Sequence, residues 1–476
     1  MTDMLWFDPP HFIHHGAVEG VTGSCHQYKL AEDYSVLIDC GLFQGNEQGA
    51  GRDKLKNRQL DVDISTVKAL LLTHVHIDHC GRLPFLVASG YRGPIYLTHA
   101  SALLLPLVLQ DALKTGYQLA EQQIQFMVDQ ITRLLQPCNY DEWLPLPVAA
   151  DGLTAQFRFQ VAGHIMGSAY VEIKHQLAER WFKTVFSGDL GPPFTPLLPA
   201  PQSPSAADVL VLESTYGDRC HVGRRQRQKR LQQIILAALQ DNGTILIPAF
   251  SIGRTQELLY ELEAILYRLR TKHIHRHLAW SELTIIVDSP LAAEFTKSYQ
   301  QLQHYWDQEA KRKVKQGRQP LNFAQLTLVT DHRQHLALVN RLASTAMPAI
   351  VIAGSGMCTG GRIVDYLHAM VADARHQILF VGYQARGTPG AALIDAAKGK
   401  GEQQVILQDT TYPLKAEVIV LSGYSAHADQ QDLVHFVQRM KTAPKQIRLI
   451  HGDKTAKASL QQKLSQLGYQ VMIATS

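Results

Sequence analysis

The stretch that decides the fold is Val67-Lys68-Ala69-Leu70-Leu71-Leu72-Thr73-His74-Val75-His76-Ile77-Asp78-His79-Cys80-Gly81. A short apolar run of this kind reads as a buried strand, and it leads directly into four ligand-type side chains within six residues. In an extended turn, side chains two apart project to the same side, so His74 and His76 can share one cation. Asp78 and His79 fall at the start of a helix and would face a second cation nearby. Nitrogen and oxygen donors without thiolate suit a catalytic zinc pair with open positions rather than a closed structural site. The competing reading is a polar strand-end loop. A lone histidine would fit it, but four donors at this spacing do not.

Outward from this stretch, the first two hundred residues alternate short strands with turns. Residues 34–39 read as a buried strand ending in an acid, and 94–98, 181–187 and 208–212 as further strands, the last running into Glu213. Residues 101–136 carry helical periodicity, and 192–206 read as an ordered connecting loop. After about residue 217 the texture changes. Strand candidates at 244–248, 283–288, 326–330, 349–353 and 377–381 alternate with helical segments such as 254–269 and 362–371. That alternation implies a parallel sheet covered on both faces. After about residue 423 the first texture returns, as a helix over 426–439, a strand over 446–450 and a helix over 455–467. One domain interrupted by a second, inserted domain is the economical reading.

The composition agrees with a globular protein. The chain has 476 residues, 46% hydrophobic and 18% charged, which excludes disorder as its main state. Mean hydropathy is −0.10, and no apolar run is long enough to span a bilayer. Neither a secretory signal nor a CxxC pair is visible, so a zinc finger and a disulfide framework are not expected, and the cytoplasm is the expected location. The net charge of +4 says little about partners, whereas the 22 histidines point to metal chemistry.

His-x-His-x-Asp-His after an apolar strand resembles the metal motif of the metallo-β-lactamase fold. Other marks of that fold follow in order: Asp39 in Leu37-Ile38-Asp39-Cys40-Gly41, His164 in Gly163-His164-Ile165-Met166-Gly167-Ser168, and Asp189 in Ser187-Gly188-Asp189-Leu190-Gly191. Three later motifs resemble those of the β-CASP nucleases, a branch with an inserted domain. They are Leu212-Glu213-Ser214-Thr215-Tyr216-Gly217, Gly423-Tyr424-Ser425-Ala426-His427-Ala428-Asp429 and Ile450-His451-Gly452-Asp453. The last departs from the usual His-Gly-Glu. The resemblance implies an α/β protein, a metallo-β-lactamase αββα sandwich with an inserted β-CASP domain built on a parallel sheet flanked by helices. The limits expected are 1–216 and 423–476 for the sandwich and 217–422 for the insert.

The resemblance also implies the chemistry. One zinc would be held by His74, His76 and His164, and the other by Asp78, His79 and His451. Asp189 would bridge them, and a shared hydroxide would attack phosphorus. Manganese can stand in for zinc. Asp78, Glu213 and His427 are the expected catalytic side chains, with His427 donating a proton to the departing ribose oxygen and Glu213 holding its other ring nitrogen. A purely structural Glu213–His427 pair is the alternative. Asp39 is expected behind the ligands, orienting a histidine. A histidine at the third motif, where DNA-acting branches tend to carry valine, points to single-stranded RNA. Arg254, Ser355, Gly356, Arg362 and Arg386 are expected to contact it, Ser355 and Gly356 through backbone amides.

The basic run Arg224-Arg225-Gln226-Arg227-Gln228-Lys229-Arg230 reads either as a phosphate contact or as a solvated helix face. The run Lys311-Arg312-Lys313-Val314-Lys315 reads as a solvated face, and His273, His275 and His277 as surface residues. No membrane contact is expected, and a homodimer is compatible with the sequence. A small-molecule thioester or lactam hydrolase, a DNA nuclease and a non-catalytic RNA-binding homologue are the competing functions.

Overall fold

The computed structural model describes residues 7–44, 60, 62–117, 119–147, 154–177, 180–221, 223–240, 243–385, 387–399 and 403–475, without the Arg225 side chain. The chain folds into two compact units, one formed by residues 1–220 with 427–476 and the other by residues 221–426.

The first unit packs two sheets face to face. One runs in the order His11–His14, His26–Ala31, Tyr34–Ile38, Val67–Leu71, Ile95–Thr98, Leu135–Cys138, antiparallel at its start and parallel from Tyr34–Ile38 onward. The other runs Val471–Ile473, Gln446–Ile450, Val209–Glu213, Arg180–Phe186, Ala169–Leu177, Ala155–Val161, Leu144–Pro145. Alternation along the strands fills the space between the sheets with Tyr28, Val36, Ile38 and Leu71 against Phe157, Phe159, Val171 and Phe186. The opposite face of the second sheet buries Val185, Leu210 and Leu212 under Leu433, Val437, Leu460 and Leu464 of helices Gln430–Gln438 and Lys454–Gln466. Helices His99–Tyr117 and Glu121–Thr132 lie beside the first sheet, so the layers run helix, sheet, sheet, helix.

Two expected helices are shorter than their periodicity suggests. The helical pattern over 101–136 stops at Thr132, and Leu135–Cys138 is a strand at the sheet edge, where Pro137 is tolerated. The helix expected from residue 426 begins only at Gln430, because the Asp429 side chain accepts from the Asp432 amide at 3.0 Å and caps it. His427 therefore stands in a bend ahead of the helix.

The second unit is built on six strands in the order Leu326–Val329, Thr284–Asp288, Ala349–Ala353, Thr244–Pro248, Gln377–Phe380, Glu417–Val420, with every pair parallel. The central strands are buried throughout, as a sheet covered by helices on both faces requires. At the end of its strand, Asp288 is fully buried and holds several elements together. It lies 2.7 Å from His335 Nδ1 and accepts from Arg362 Nη1 at 2.6 Å and from the Tyr366 hydroxyl at 2.5 Å. Replacing Asp288 by Ala strands these donors away from water. Breaking such a buried pair costs about 3–5 kcal/mol. Urea unfolding of the full chain is expected to show that loss for Asp288→Ala and a smaller one for Asp288→Asn.

Candidate metal centre

The metal-ligand candidates all follow the carboxyl ends of strands in the first unit. His74 and His76 come from the turn after Val67–Leu71, and Asp78 and His79 from the short helix Ile77–Cys80. His164 follows Ala155–Val161, Asp189 follows Arg180–Phe186, and His451 follows Gln446–Ile450. The turns are tightly packed. A Cβ on Gly41 would lie 1.5 Å from the Asp78 carbonyl oxygen, so only glycine lets that chain pass behind the ligand helix. His451 itself has φ +50°, a conformation uncommon for a residue with a Cβ, and its amide is anchored on the Ala17 carbonyl at 2.7 Å.

Two sets of donor atoms converge. His76 Nδ1 lies 3.2 Å from His74 Nε2 and 2.9 Å from His164 Nε2, and both of those nitrogens lie 3.6 Å from Asp189 Oδ2. In the second set, His451 Nε2 is 3.2 Å from His79 Nε2 and 3.6 Å from Asp78 Oδ2, while Asp189 Oδ1 is 3.3 Å from His79 Nε2. A tetrahedron with metal–ligand bonds near 2.1 Å has edges of about 3.4 Å, so the spacing fits a divalent ion in each set. Asp189 offers one oxygen to each set, and its buried Oδ1 has no hydrogen-bond partner among the described residues.

The tautomers fit as well. Thr73 Oγ1 donates to Asp39 Oδ2 at 2.9 Å, so at 3.1 Å from His74 Nδ1 it acts as acceptor and leaves Nε2 free. His79 Nδ1 donates to Asp39 Oδ2 at 2.7 Å. Thr215 Oγ1 donates to Glu213 Oε2 at 2.6 Å and accepts from His451 Nδ1 at 3.1 Å. Three rings are thereby fixed with Nε2 turned inward. Burial pushes His76 down to about 4 and His74 well below its ordinary value, which keeps both neutral. Burial also acts against charge on His79 and His451, but Asp189 and the neighbouring Asp78 outweigh it and raise both. The acidic neighbours thus favour a proton on this pair of rings, while each ring opposes charge on the other.

Beside the two sets, His427 Nδ1 lies 3.3 Å from Glu213 Oε2 and 3.9 Å from Asp189 Oδ2. Burial lowers this histidine, yet Glu213 and Asp189 prevail and push it up to about 9. Glu213 is held in turn by the Leu190 amide at 2.6 Å and by Thr215. Sequence reasoning missed Thr73 and Thr215, for which position directly beside or near a motif residue is the one available signal. Asp453, the departure from His-Gly-Glu, caps helix Lys454–Gln466 by accepting from the Ala456 amide at 2.7 Å, a task suited to the shorter acid.

The residues expected to contact RNA lie in the second unit. Arg254 is buried and paired with Glu257. Arg362 donates to Asp288 and to the Val329 and Thr330 carbonyls. The Ser355 amide donates to the Gly360 carbonyl at 3.1 Å, Gly356 is buried, and Arg386 lies outside the described residues. Within the run 224–230, Arg227 turns inward to Glu261 at 2.7 Å. Cys358 is buried, which pushes its thiol up to about 12, the wrong direction for a nucleophile. Among the described residues no helix is long and apolar enough to cross a membrane.

Residues 21–160 match the metallo-beta-lactamase superfamily, 255–393 the Beta-Casp domain, and 411–474 the Zn-dependent metallo-hydrolase RNA specificity domain. The chain is 36% identical over 467 residues to "Ribonuclease TTHA0252" of Thermus thermophilus, covering 96% of this chain and 97% of that protein. It is 27% identical over 447 residues to "Transcription termination factor FttA" of Methanocaldococcus jannaschii, covering 92% of this chain and 66% of the relative. With "Cleavage and polyadenylation specificity factor 73" of Drosophila melanogaster it shares 26% over 451 residues, 94% of this chain and 60% of the longer relative.

Ligation requires neutral imidazoles, so metal binding competes with the proton that the carboxylates favour on the His79–His451 pair. Calorimetric titration of the metal-free protein with zinc at pH 7, in buffers of different ionisation enthalpy, is expected to show net proton release, with affinity rising with pH. A heat independent of buffer would contradict this. Asp39→Ala is expected to weaken zinc binding by about 10–100-fold, the usual cost of losing a ligand's hydrogen-bonded support.

Proposed function

The chain belongs to the β-CASP branch of the metallo-β-lactamase superfamily, and on that premise we propose that it is a zinc-dependent ribonuclease hydrolysing phosphodiester bonds of single-stranded RNA in RNA processing or decay. The observation that carries the reading is the pair of donor sets sharing Asp189, with the Glu213–His427 pair beside them. The match of residues 411–474 to an RNA specificity domain favours RNA over DNA or a small thioester or lactam.

In this reading His74, His76, His164 and Asp189 would hold one zinc, and Asp78, His79, His451 and Asp189 would hold the other. Manganese is a workable substitute. Bound there, divalent ions would supply a water of lowered pKa and positive charge against the phosphate oxygens. The remaining work falls to the chain's own side chains. His427 turns Nδ1 to Glu213, so Nε2 carries the proton delivered to the departing ribose oxygen. Glu213, fixed by the Leu190 amide and the Thr215 hydroxyl, aims the ring and favours its charged form. Asp39 and Thr73 keep His79 and His74 aimed inward.

Residues 217–422 are read as the inserted domain; the Ser355 amide is set aside as an RNA contact because it donates to the Gly360 carbonyl, and Gly356 because it is buried. Arg254 and Arg362 are set aside, because their guanidinium groups are committed to internal partners. A cytoplasmic location and a homodimer complete the reading.

Digestion of RNA labelled at either end tests it directly. Cleavage is expected to stop with chelator and in His76→Ala, and unchanged cleavage by that variant would sink the mechanism. His427→Ala is expected to lose about 10²–10⁴-fold in rate, the usual worth of a general acid. Glu213→Gln removes the anion that favours the imidazolium, so the basic limb of kcat/KM against pH should move to lower pH. A limb that stays in place in Glu213→Gln would leave that pair a structural role only.

A further inference from the structure

Two basic stretches that stand far apart in the sequence meet on one face of the second unit. Tyr267 to His277 and Lys311 to Arg318 contain lysines and arginines but no acid. Helix Arg254–Leu269 ends at the first stretch, and helix Gln308–Lys315 supplies most of the second. They are pinned together by Arg318, whose Nε donates to Glu263 Oε1 at 3.0 Å, and by Lys313, 3.6 Å above the Tyr260 ring. Tyr267, 45% exposed, has the guanidinium groups of Arg270 and Arg318 each 4.3 Å from its ring centroid. Among the described residues, only Lys313 and Arg318 of these cations pair with a carboxylate. Arg270, Lys272, Arg276, Arg312 and Lys315 are exposed.

The charge is concentrated here. The whole chain carries +4, less than these two stretches alone contribute, so the remainder of the molecule is net negative. A local field of this kind attracts a polyanion. The face also lies apart from the loops at the carboxyl ends of the strands. Helix Arg254–Leu269 starts at those loops and runs 16 residues to the basic end. At about 1.5 Å per residue, the separation is about 24 Å.

We propose that this face is a second RNA-binding surface, which grips the phosphates of a strand through charge. The inference rests on the ribonuclease reading above. Charge rather than apolar area dominates the face, which favours a nucleic-acid backbone over a protein partner. Dispersed cations that contact phosphate without reading bases would add length-dependent affinity and leave the chemical step untouched.

The test is the charge-reversal variant Arg270→Glu, Lys272→Glu, Arg312→Glu, Lys315→Glu of the full chain, with the corresponding Ala variant as a milder form. Binding of fluorescent RNAs is measured by anisotropy on a His76→Ala background, independently of cleavage. For a long RNA, the slope of log affinity against log salt should fall by about 2–3 in the reversed variant, since each phosphate contact on a single strand contributes about 0.7. With cleavage-competent protein, KM for long RNA should rise several-fold while kcat, and kcat/KM on a very short oligonucleotide, stay at the parent values. An unchanged salt slope, or equal losses on short and long RNA, would overturn the surface. Retained RNA binding with lost binding of an acidic peptide would assign the face to a protein instead. If the parent protein binds long RNA but cuts none, the ribonuclease reading fails and the surface stands.

Discussion

The carboxylate of Asp189 is the constraint around which the first unit is arranged. It is buried, it presents one oxygen to each of two groups of imidazoles, and Asp78 and Asp39 lie close by. A dry interior does not tolerate several carboxylates unless positive charge accompanies them. Protons on His79 and His451 can supply that charge, and so can divalent ions. Much of the surrounding architecture serves to keep ring nitrogens facing this point: threonine hydroxyls that fix tautomers, a glycine beneath the ligand helix, and a histidine in a left-handed backbone conformation.

The layered fold and the parallel sheet of the second unit were legible because both rest on periodicity. Apolar runs bounded by turns marked strands 244–248 and 349–353, and the cluster after strand 67–71 stood out because four donors crowded into a few residues. What escaped the sequence depends on partners far away in the chain. Arg254 and Arg362 look like phosphate ligands, since each begins a helix after a glycine-containing loop. Their direction is set instead by Glu257 and by Asp288, and no local pattern announces an inward-turned arginine. Thr73 and Thr215 escaped for a related reason. A hydroxyl beside a ligand becomes informative only when a carboxylate fixes which way its proton points. The edge strand 135–138 was hidden by the helix periodicity leading up to it.

The two kinds of charge in the molecule work differently. Around Asp189 they are buried, few and closely opposed, and they define positions to a fraction of an ångström. On the basic face of the second unit they are mostly exposed, numerous and predominantly positive, and they act over a screening length instead. The first arrangement suits selection of a reacting bond, and the second suits capture of a long, flexible anion.

The strand Gln446–Ile450 lies between Val209–Glu213 and Val471–Ile473, and it delivers His451 to a cluster whose other members were all made earlier in the chain. During synthesis, the amino-terminal portion emerges and begins to fold long before that strand leaves the ribosome. The second cage therefore lacks a wall until the strand Gln446–Ile450 has been made and has docked, so the two donor sets close together only after all the other ligands are in place.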